Sequence, residues 1–182
     1  PSGEEVLDFG QNMVGFARFV CRETKGTKIH LQYGEILQNG NFYRENLRSA
    51  KAELWYTASG KETTVDAFFT FYGFRYVKVE GMKKVNPDDF TGVVLHTDLE
   101  KTISVHSSSA ELNQLIHNAL WGQKGNFLDV PTDCPQRDER LGWTGDSQVF
   151  ARTACMNMNA KLFYKKYTKD LRADQVRFYD GL

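Results

Sequence analysis

The chain has 182 residues, of which 41% are hydrophobic and 25% charged, and its formal net charge is zero. This composition is ordinary for a globular protein and lacks the basic surplus that nucleic-acid binding requires. No apolar run approaches the roughly 20 residues of a membrane-spanning helix, so we expect neither a nucleic-acid partner nor a membrane partner.

The first half of the chain has the period of strands. In "FARFVCRE" and "KIHLQYGEIL", apolar and polar residues alternate, and an Asn-Gly turn signal follows in "QNGN". "TVDAFFTFYGFRYVKVEG" predicts two strands that meet near Gly73, and "TGVVLHTD" and "KTISVHS" continue the pattern. The many aromatic residues in this region are more typical of a core than of a sugar-binding face. We therefore predict an antiparallel β-sandwich domain over residues 1–105.

At Ser107 the period changes to that of helices. Ser108 and Glu111 fit a capping box, and an apolar stripe follows in the first predicted helix. The stripe consists of Leu112, Leu115, Ile116, Ala119 and Leu120. A second helix is predicted from about Gly145 to Met158. A third is predicted from about Ala160 to Ala173, with Phe163, Tyr164, Tyr167 and Leu171 facing inward.

Residues 106–182 therefore predict the start of an all-α domain. Three helices bury little apolar area by themselves, and small domains are marginally stable for that reason. The chain does not begin with Met, and its first residues lack the basic and apolar regions of a signal peptide. We expect a segment of a longer protein, and the sequence leaves the compartment open between cytoplasm, periplasm and secretion.

The most unusual stretch is "DVPTDCPQRDERLGWTGDSQ", the charged loop of residues 129–148. Its prolines and glycines interrupt regular structure, so we expect a loop between the first two helices. Asp133, Glu139 and Asp146 are six and seven residues apart, and a loop can direct three such carboxylates into one pocket. Trp143 offers a flat apolar face for a sugar ring. This combination suits general acid–base chemistry on a glycosidic bond.

Two other interpretations of the charged loop stay open on its residues alone. It could be a salt-bridged surface loop or a helix N-cap region in which Asp146 is simply the cap, rather than a site in which Arg137 and Arg140 hydrogen-bond hydroxyls or tune carboxylate pKa values. It could also place Cys134 as a thiol nucleophile. The histidines that would have to activate that thiol lie far from Cys134 in sequence, so we expect a buried cysteine instead. The three cysteines are an odd, scattered set and predict neither a disulfide framework nor a zinc site.

The motif "DVPTDCPQRDERLGWTGDSQVF" closely resembles the signature of bacterial α-L-rhamnosidases, the inverting glycoside hydrolase family 78. Other segments resemble the same family in the same order. They are "GFARFVCRETKGTKIHLQYGEIL", "RENLRSAKAELWYT", "FTFYGFRYVKVEG" and "LWGQKGNFLDVPTDCPQRDERLGWTGD". The resemblance therefore extends over nearly the whole chain.

The resemblance implies a fold and a set of site residues. In that family a β-sandwich precedes an (α/α)6 barrel, of which residues 106–182 would be the first part. By motif position, Glu139 resembles the general acid, and Asp133 and Asp146 resemble carboxylates that bind rhamnose hydroxyls. Trp143 resembles the wall of the sugar subsite, and Arg137 resembles a partner of the substrate or of the acid.

The implied activity is hydrolysis of terminal α-L-rhamnosides with inversion, without a metal or another cofactor. The family's general base is a Glu from a late loop of the barrel, which has no counterpart here, so we expect this chain alone to be inactive. The expected partners are rhamnose-containing oligosaccharides, polysaccharides or glycosides, and a homo-oligomer stays open. Three alternatives remain: a carbohydrate-binding module, an interaction domain, and an inverting (α/α)6 glycosidase for another sugar.

Overall fold

The computed structural model describes residues 3–181. These residues form two compact units. The first extends to Leu95 and also includes Cys134–Arg140, and the second comprises His96–Asp133 and the chain from Leu141 onward. The predicted order of an antiparallel β-domain followed by helices is confirmed. The predicted domain boundary between residues 105 and 106 stays a prediction.

The first unit consists mainly of strands. They are β1 Glu5–Cys21, β2 Lys28–Gly34, β3 Ile36–Gln38, β4 Asn41–Tyr43, β5 Glu53–Thr57, β6 Thr63–Val65, β7 Tyr72–Glu80 and β8 Phe90–Val94. Short 3-10 helices at Glu45–Leu47 and Pro87–Asp89 lie between them. Among the described residues, β5-β2-β7-β1-β6 form one antiparallel sheet, in which β8 also pairs with β1, and β3 and β4 form a separate hairpin.

Strand β1 organises the sheet because it pairs with three strands in turn. It pairs with β7 up to Gly15, then with β8, and finally with β6 from Phe19 to Cys21. Gly15 lies at the first exchange, where an added Cβ would be 1.8 Å from the carbonyl oxygen of Val93. Only glycine permits so close a backbone approach, so the sequence sets this exchange at residue 15.

The core of the first unit is aromatic and aliphatic, as the alternating pattern predicts. Tyr33 is fully buried and stacks on Tyr72 with ring centroids 3.9 Å apart, and burial raises the pKa of the Tyr33 phenol. Phe74 packs edge-on against Tyr33. The core prediction is wrong for Phe68 and Phe69, which are exposed because they lie in the irregular connection between β6 and β7.

The strand predicted at "KTISVHS" is not present among the described residues. Lys101 forms a single bridge with Met158. Thr102 donates its backbone N–H to the carbonyl oxygen of Asn157 and its hydroxyl to that of Met156. These bonds attach Thr102 to the end of a helix rather than to a strand of the sheet.

The second unit contains the three predicted helices. They are α1 Ala110–Asn126, α2 Thr144–Asn157 and α3 Lys161–Phe178, and the short strands β9 Phe127–Leu128 and β10 Val130–Pro131 follow α1. The residue that caps α1 is Ser109, one residue later than predicted, and its hydroxyl accepts the N–H of Leu112. Among the described residues, no helix combines the length and apolar character needed to cross a bilayer.

The core of the second unit is small. Phe127 stacks on Phe163 with ring centroids 4.3 Å apart, and Ala154 and Ala160 complete the cluster. The inward-facing prediction is confirmed for Phe163 and Tyr167, which are both buried.

In the apolar stripe of α1, Leu112 and Leu115 are 43% and 63% exposed. The buried residue of this helix is Gln123. Its amide nitrogen donates to the carbonyl oxygen of Ala154, and its amide oxygen accepts from Asn157.

Candidate active site

The two ends of the charged loop, which connects α1 to α2, lie next to each other. The short hairpin of β9 and β10 turns at Asp129, which has a φ of +71°. An isolated antiparallel bridge then joins Thr132 to Gly142. The residues between this pair form a loop closed by the bridge, and they include the predicted Asp133, Arg137 and Glu139.

Most of this loop, Cys134–Arg140, belongs to the first unit. Gln136 lies directly against Gly73, where an added Cβ would be 2.6 Å from the Cβ of Gln136. Arg140 lies over the ring of Phe71 at 4.5 Å and donates to its carbonyl oxygen, and burial lowers the pKa of the Arg140 guanidinium. These contacts fix the backbone on both sides of Glu139.

Glu139 is held by two arginines. Nη1 of Arg48 donates to Oε2 of Glu139 at 2.8 Å, and Nη2 of Arg137 lies 3.2 Å from the same oxygen. Arg48 belongs to the loop between β4 and β5, 91 residues away in the sequence. Next to it, Ser49 donates its hydroxyl to Asp138, and this hydrogen bond is the main cause that lowers the pKa of the Asp138 carboxyl.

Cys134 is buried, as expected for a cysteine in a packed loop. Its Sγ accepts from Nε of Arg137 at 2.9 Å. The predicted substrate partner Arg137 therefore contacts both Cys134 and Glu139, and its guanidinium connects the start of the segment to the predicted acid.

The other two predicted carboxylates lie in the second unit. Asp133 and Asp146 line one cleft with a volume of about 730 Å³. Its other walls come from the C-terminal part of α1, the start of α2 and Tyr164 of α3, whose phenol has a pKa raised by burial. Asp146 lies in the first turn of α2, where the helix dipole favours a negative charge, but the N-cap position belongs to Trp143. The structure thus brings Asp133 and Asp146 to a common cavity of a size suited to a small molecule.

Trp143 is 42% exposed and is not among the residues that line this cleft. It precedes α2 with an extended backbone.

Asp129, the first carboxylate of the loop, forms an ion pair with Lys166 at 2.8 Å. For Asp129 the surface salt-bridge interpretation is therefore correct.

Sequence reasoning missed Arg48 and Ser49. Both lie in a polar stretch, "RENLRSAKA", without a clear period, and no local pattern connects them to residues 138 and 139. The available signal was weak: Leu47 is the one large apolar residue in this stretch and could have been read as an anchor of the loop, which the structure shows it to be.

Two family models match the chain. Residues 1–96 match the bacterial alpha-L-rhamnosidase concanavalin-like domain, and residues 100–181 match the bacterial alpha-L-rhamnosidase 6 hairpin glycosidase domain. Among curated proteins, an alpha-L-rhamnosidase of Streptomyces avermitilis is 48% identical over 96% of this chain and 17% of its own length. One from Formosa agariphila is 40% identical over 93% of this chain and 19% of its own.

Solved structures give the same result. The structure of Streptomyces avermitilis alpha-L-rhamnosidase complexed with L-rhamnose matches with a TM-score of 0.93 and 47% identity, over 96% of this chain and 17% of that one. The native enzyme from Aspergillus terreus matches with a TM-score of 0.93 and 41% identity, over 96% of this chain and 21% of that one. The chain therefore spans about a fifth of the length of these relatives.

Proposed function

Because the chain belongs to the bacterial α-L-rhamnosidase family, we propose that it forms part of a glycosidase that releases terminal α-L-rhamnose from rhamnosylated glycans or glycosides. The resemblance of the charged loop to that family is thereby confirmed. The observation that carries the proposal is the cleft in which two carboxylates of the motif, Asp133 and Asp146, meet. The relative solved with L-rhamnose supports the choice of sugar.

We assign one role to each motif residue. Asp133 and Asp146 accept hydrogen bonds from rhamnose hydroxyls. An ionised carboxylate suits this role because it is an acceptor only and forms stronger hydrogen bonds than neutral side chains do. Trp143 provides an apolar wall against the ring by its motif position, although it does not line the cleft of Asp133 and Asp146. Arg137 holds Glu139, and Glu139 is the general acid.

The proposed reaction is a single displacement. Glu139 transfers its proton to the glycosidic oxygen, and the bond from that oxygen to the anomeric carbon breaks with its electron pair on the oxygen. Water attacks the anomeric carbon from the opposite face and gives a proton to a base. Acid and base are about 6.5–9.5 Å apart in such enzymes, and we propose a base outside this chain. Carboxyl groups and water suffice for this chemistry, so the proposal includes no metal or cofactor.

The test is Glu139→Gln in the full-length protein. Glutamine keeps the shape and one acceptor oxygen but has no acidic proton. Release of L-rhamnose from a disaccharide with an alcohol leaving group should fall about 10²- to 10⁴-fold, while the thermal midpoint of unfolding stays close to that of the wild type.

The matched control is Glu62→Gln, which removes an exposed carboxylate of the same unit that pairs with Arg22. It should retain wild-type turnover. Normal turnover in Glu139→Gln would show that Glu139 is not the general acid, and it would not affect the assignment of the chain to the family.

A further inference from the structure

We propose that Arg48 is a positioning residue for the general acid. From the loop between β4 and β5 it holds Oε2 of Glu139, so that Oε1 carries the proton and delivers it to the leaving oxygen. This inference rests on the proposed function, because it gives Arg48 a role only if Glu139 donates a proton.

The contact geometry distinguishes the two oxygens of Glu139. Both guanidinium groups, those of Arg48 and Arg137, approach Oε2, at 2.8 Å and 3.2 Å. When Glu139 is protonated on Oε1, its Oε2 is a carbonyl oxygen and can still accept hydrogen bonds from both guanidinium groups. These bonds are weaker than those to an ionised carboxylate. The same contacts therefore hold the side chain before proton transfer and stabilise the negative charge that appears on it afterwards.

The backbone at Arg48 supports a specific role. The backbone of Arg48 has φ +54° and ψ −121°, a conformation that residues other than glycine rarely adopt. Fully buried Leu47 precedes it, and the Ser49 hydroxyl bonds to Asp138 directly after it. Anchors on both sides force the unusual conformation, and the result is that the guanidinium reaches Glu139. Such strained residues concentrate at functional sites.

Stability alone does not account for this arrangement. The side chains of Arg48 and Glu139 are 54% and 33% exposed, and ion pairs this exposed contribute little to folding because water screens them. A strained backbone that gains so little stability is better explained by what it positions. The acid's own segment is fixed on the same unit through Gln136 and Arg140, so acid and arginine have a common anchor.

The experiment measures two rhamnosides on the full-length enzyme and its Arg48→Met variant. One has an alcohol leaving group, which needs protonation, and the other has p-nitrophenol, which departs with little help. We expect kcat on the alcohol rhamnoside to fall about 10- to 100-fold, within the range of general acid catalysis. On the p-nitrophenyl rhamnoside kcat should change less than about 3-fold, and KM should be unchanged for both.

Two further variants complete the design. Arg48→Lys restores a cation and should recover part of the lost kcat on the alcohol rhamnoside. Arg22→Met is the matched control, since Arg22 also forms exposed ion pairs in the first unit, with Glu62 and Asp89. It should leave both substrates unaffected.

Equal loss on both substrates, a change confined to KM, or no loss at all would overturn the role of Arg48. Glu139→Gln, measured in parallel, separates this failure from failure of the proposed function. If Glu139→Gln loses the alcohol rhamnoside selectively and Arg48→Met does not, only the inference about Arg48 fails. If Glu139→Gln keeps full activity on both, the acid assignment itself is wrong.

Discussion

At the scale of single residues, neighbours in the charged loop differ in their surroundings. Asp133 belongs to the second unit and lines its cleft, whereas Glu139, six positions later, belongs to the first unit and pairs with two arginines. Asp129 pairs with Lys166 on the surface. Carboxylates of one loop therefore have different surroundings, which their spacing in the sequence does not reveal.

Gly73 gives a prediction at this scale. A methyl group at residue 73 would lie 2.6 Å from the Cβ and 2.9 Å from the Cα of Gln136, so Gly73→Ala forces the segment Cys134–Arg140 to shift. We expect a loss of about 1–3 kcal/mol in the free energy of unfolding, as for other overpacked sites. Urea unfolding followed by circular dichroism measures it.

Gly122→Ala is the matched control, because the space around Gly122 in α1 is open. Alanine loses less backbone entropy than glycine when a helix forms, so the free energy of unfolding of this variant should rise by about 0.5–1 kcal/mol. If Gly73→Ala is as stable as the wild type, the close approach of Gln136 does not constrain the loop.

At the scale of elements, β2, β5 and β7 share a ladder of charged side chains across one face. Both ring nitrogens of His30 lie 3.0 Å from a glutamate, Glu53 on one side and Glu80 on the other. Lys78 pairs with Glu80, and Trp55 stacks on the imidazole at 3.8 Å. The alternating pattern correctly predicts that His30 faces away from Ile29 and Leu31. It could not show that Trp55, on another strand, covers the histidine.

This ladder predicts how stability depends on pH. The hydrogen bond from Lys78 is the largest cause that lowers the pKa of the Glu80 carboxyl below its ordinary value. A carboxyl with a lowered folded pKa stabilises the fold above its unfolded pKa, about 4.3, and that contribution is lost as pH falls through the folded pKa. Lys78→Met should therefore make the decline of stability below about pH 4.3 shallower.

At pH 7 the same variant should lose about 1 kcal/mol, because it removes two partly exposed ion pairs, with Glu80 at 3.0 Å and with Glu4 at 2.8 Å. Urea unfolding at pH 7, 4.5 and 3 gives the comparison, with Lys84→Met as a control that removes an exposed lysine. An unchanged pH dependence in Lys78→Met would show that Lys78 does not govern the ionisation of Glu80.

At the scale of the whole molecule, the helical unit leaves apolar surface uncovered. Leu112, Leu115 and Leu162 are exposed on α1 and α3, and the chain spans about a fifth of its relatives' length. We propose that further helices of the six-hairpin glycosidase domain cover this surface and supply the general base. The toroidal barrel expected from the family stays a prediction.

This proposal predicts a difference between the 182-residue chain and the full-length protein. The full-length protein should hydrolyse p-nitrophenyl α-L-rhamnoside, and the chain alone should not, because the proposed acid, Glu139, would lack its proposed partner base. Release of p-nitrophenol from equal concentrations of each measures the difference. Activity in the chain alone would mean that the base lies within these residues.

The sequence by itself determined the order of strands and helices and the residues of the motif, because periodicity and turn chemistry are local properties. It also led to the correct family. It misjudged the aromatic pair Phe68 and Phe69, since burial depends on what packs against an element.

Only the tertiary structure decided which groups meet. The pairing of Arg48 with Glu139 joins residues 91 positions apart, and the cleft joins Asp133 to the first turn of α2. Such contacts follow from the packing of whole elements and loops, and a sequence pattern with a range of a few residues does not contain them. The carboxylates of the motif were therefore readable in the sequence, and the contact between Arg48 and Glu139 was not.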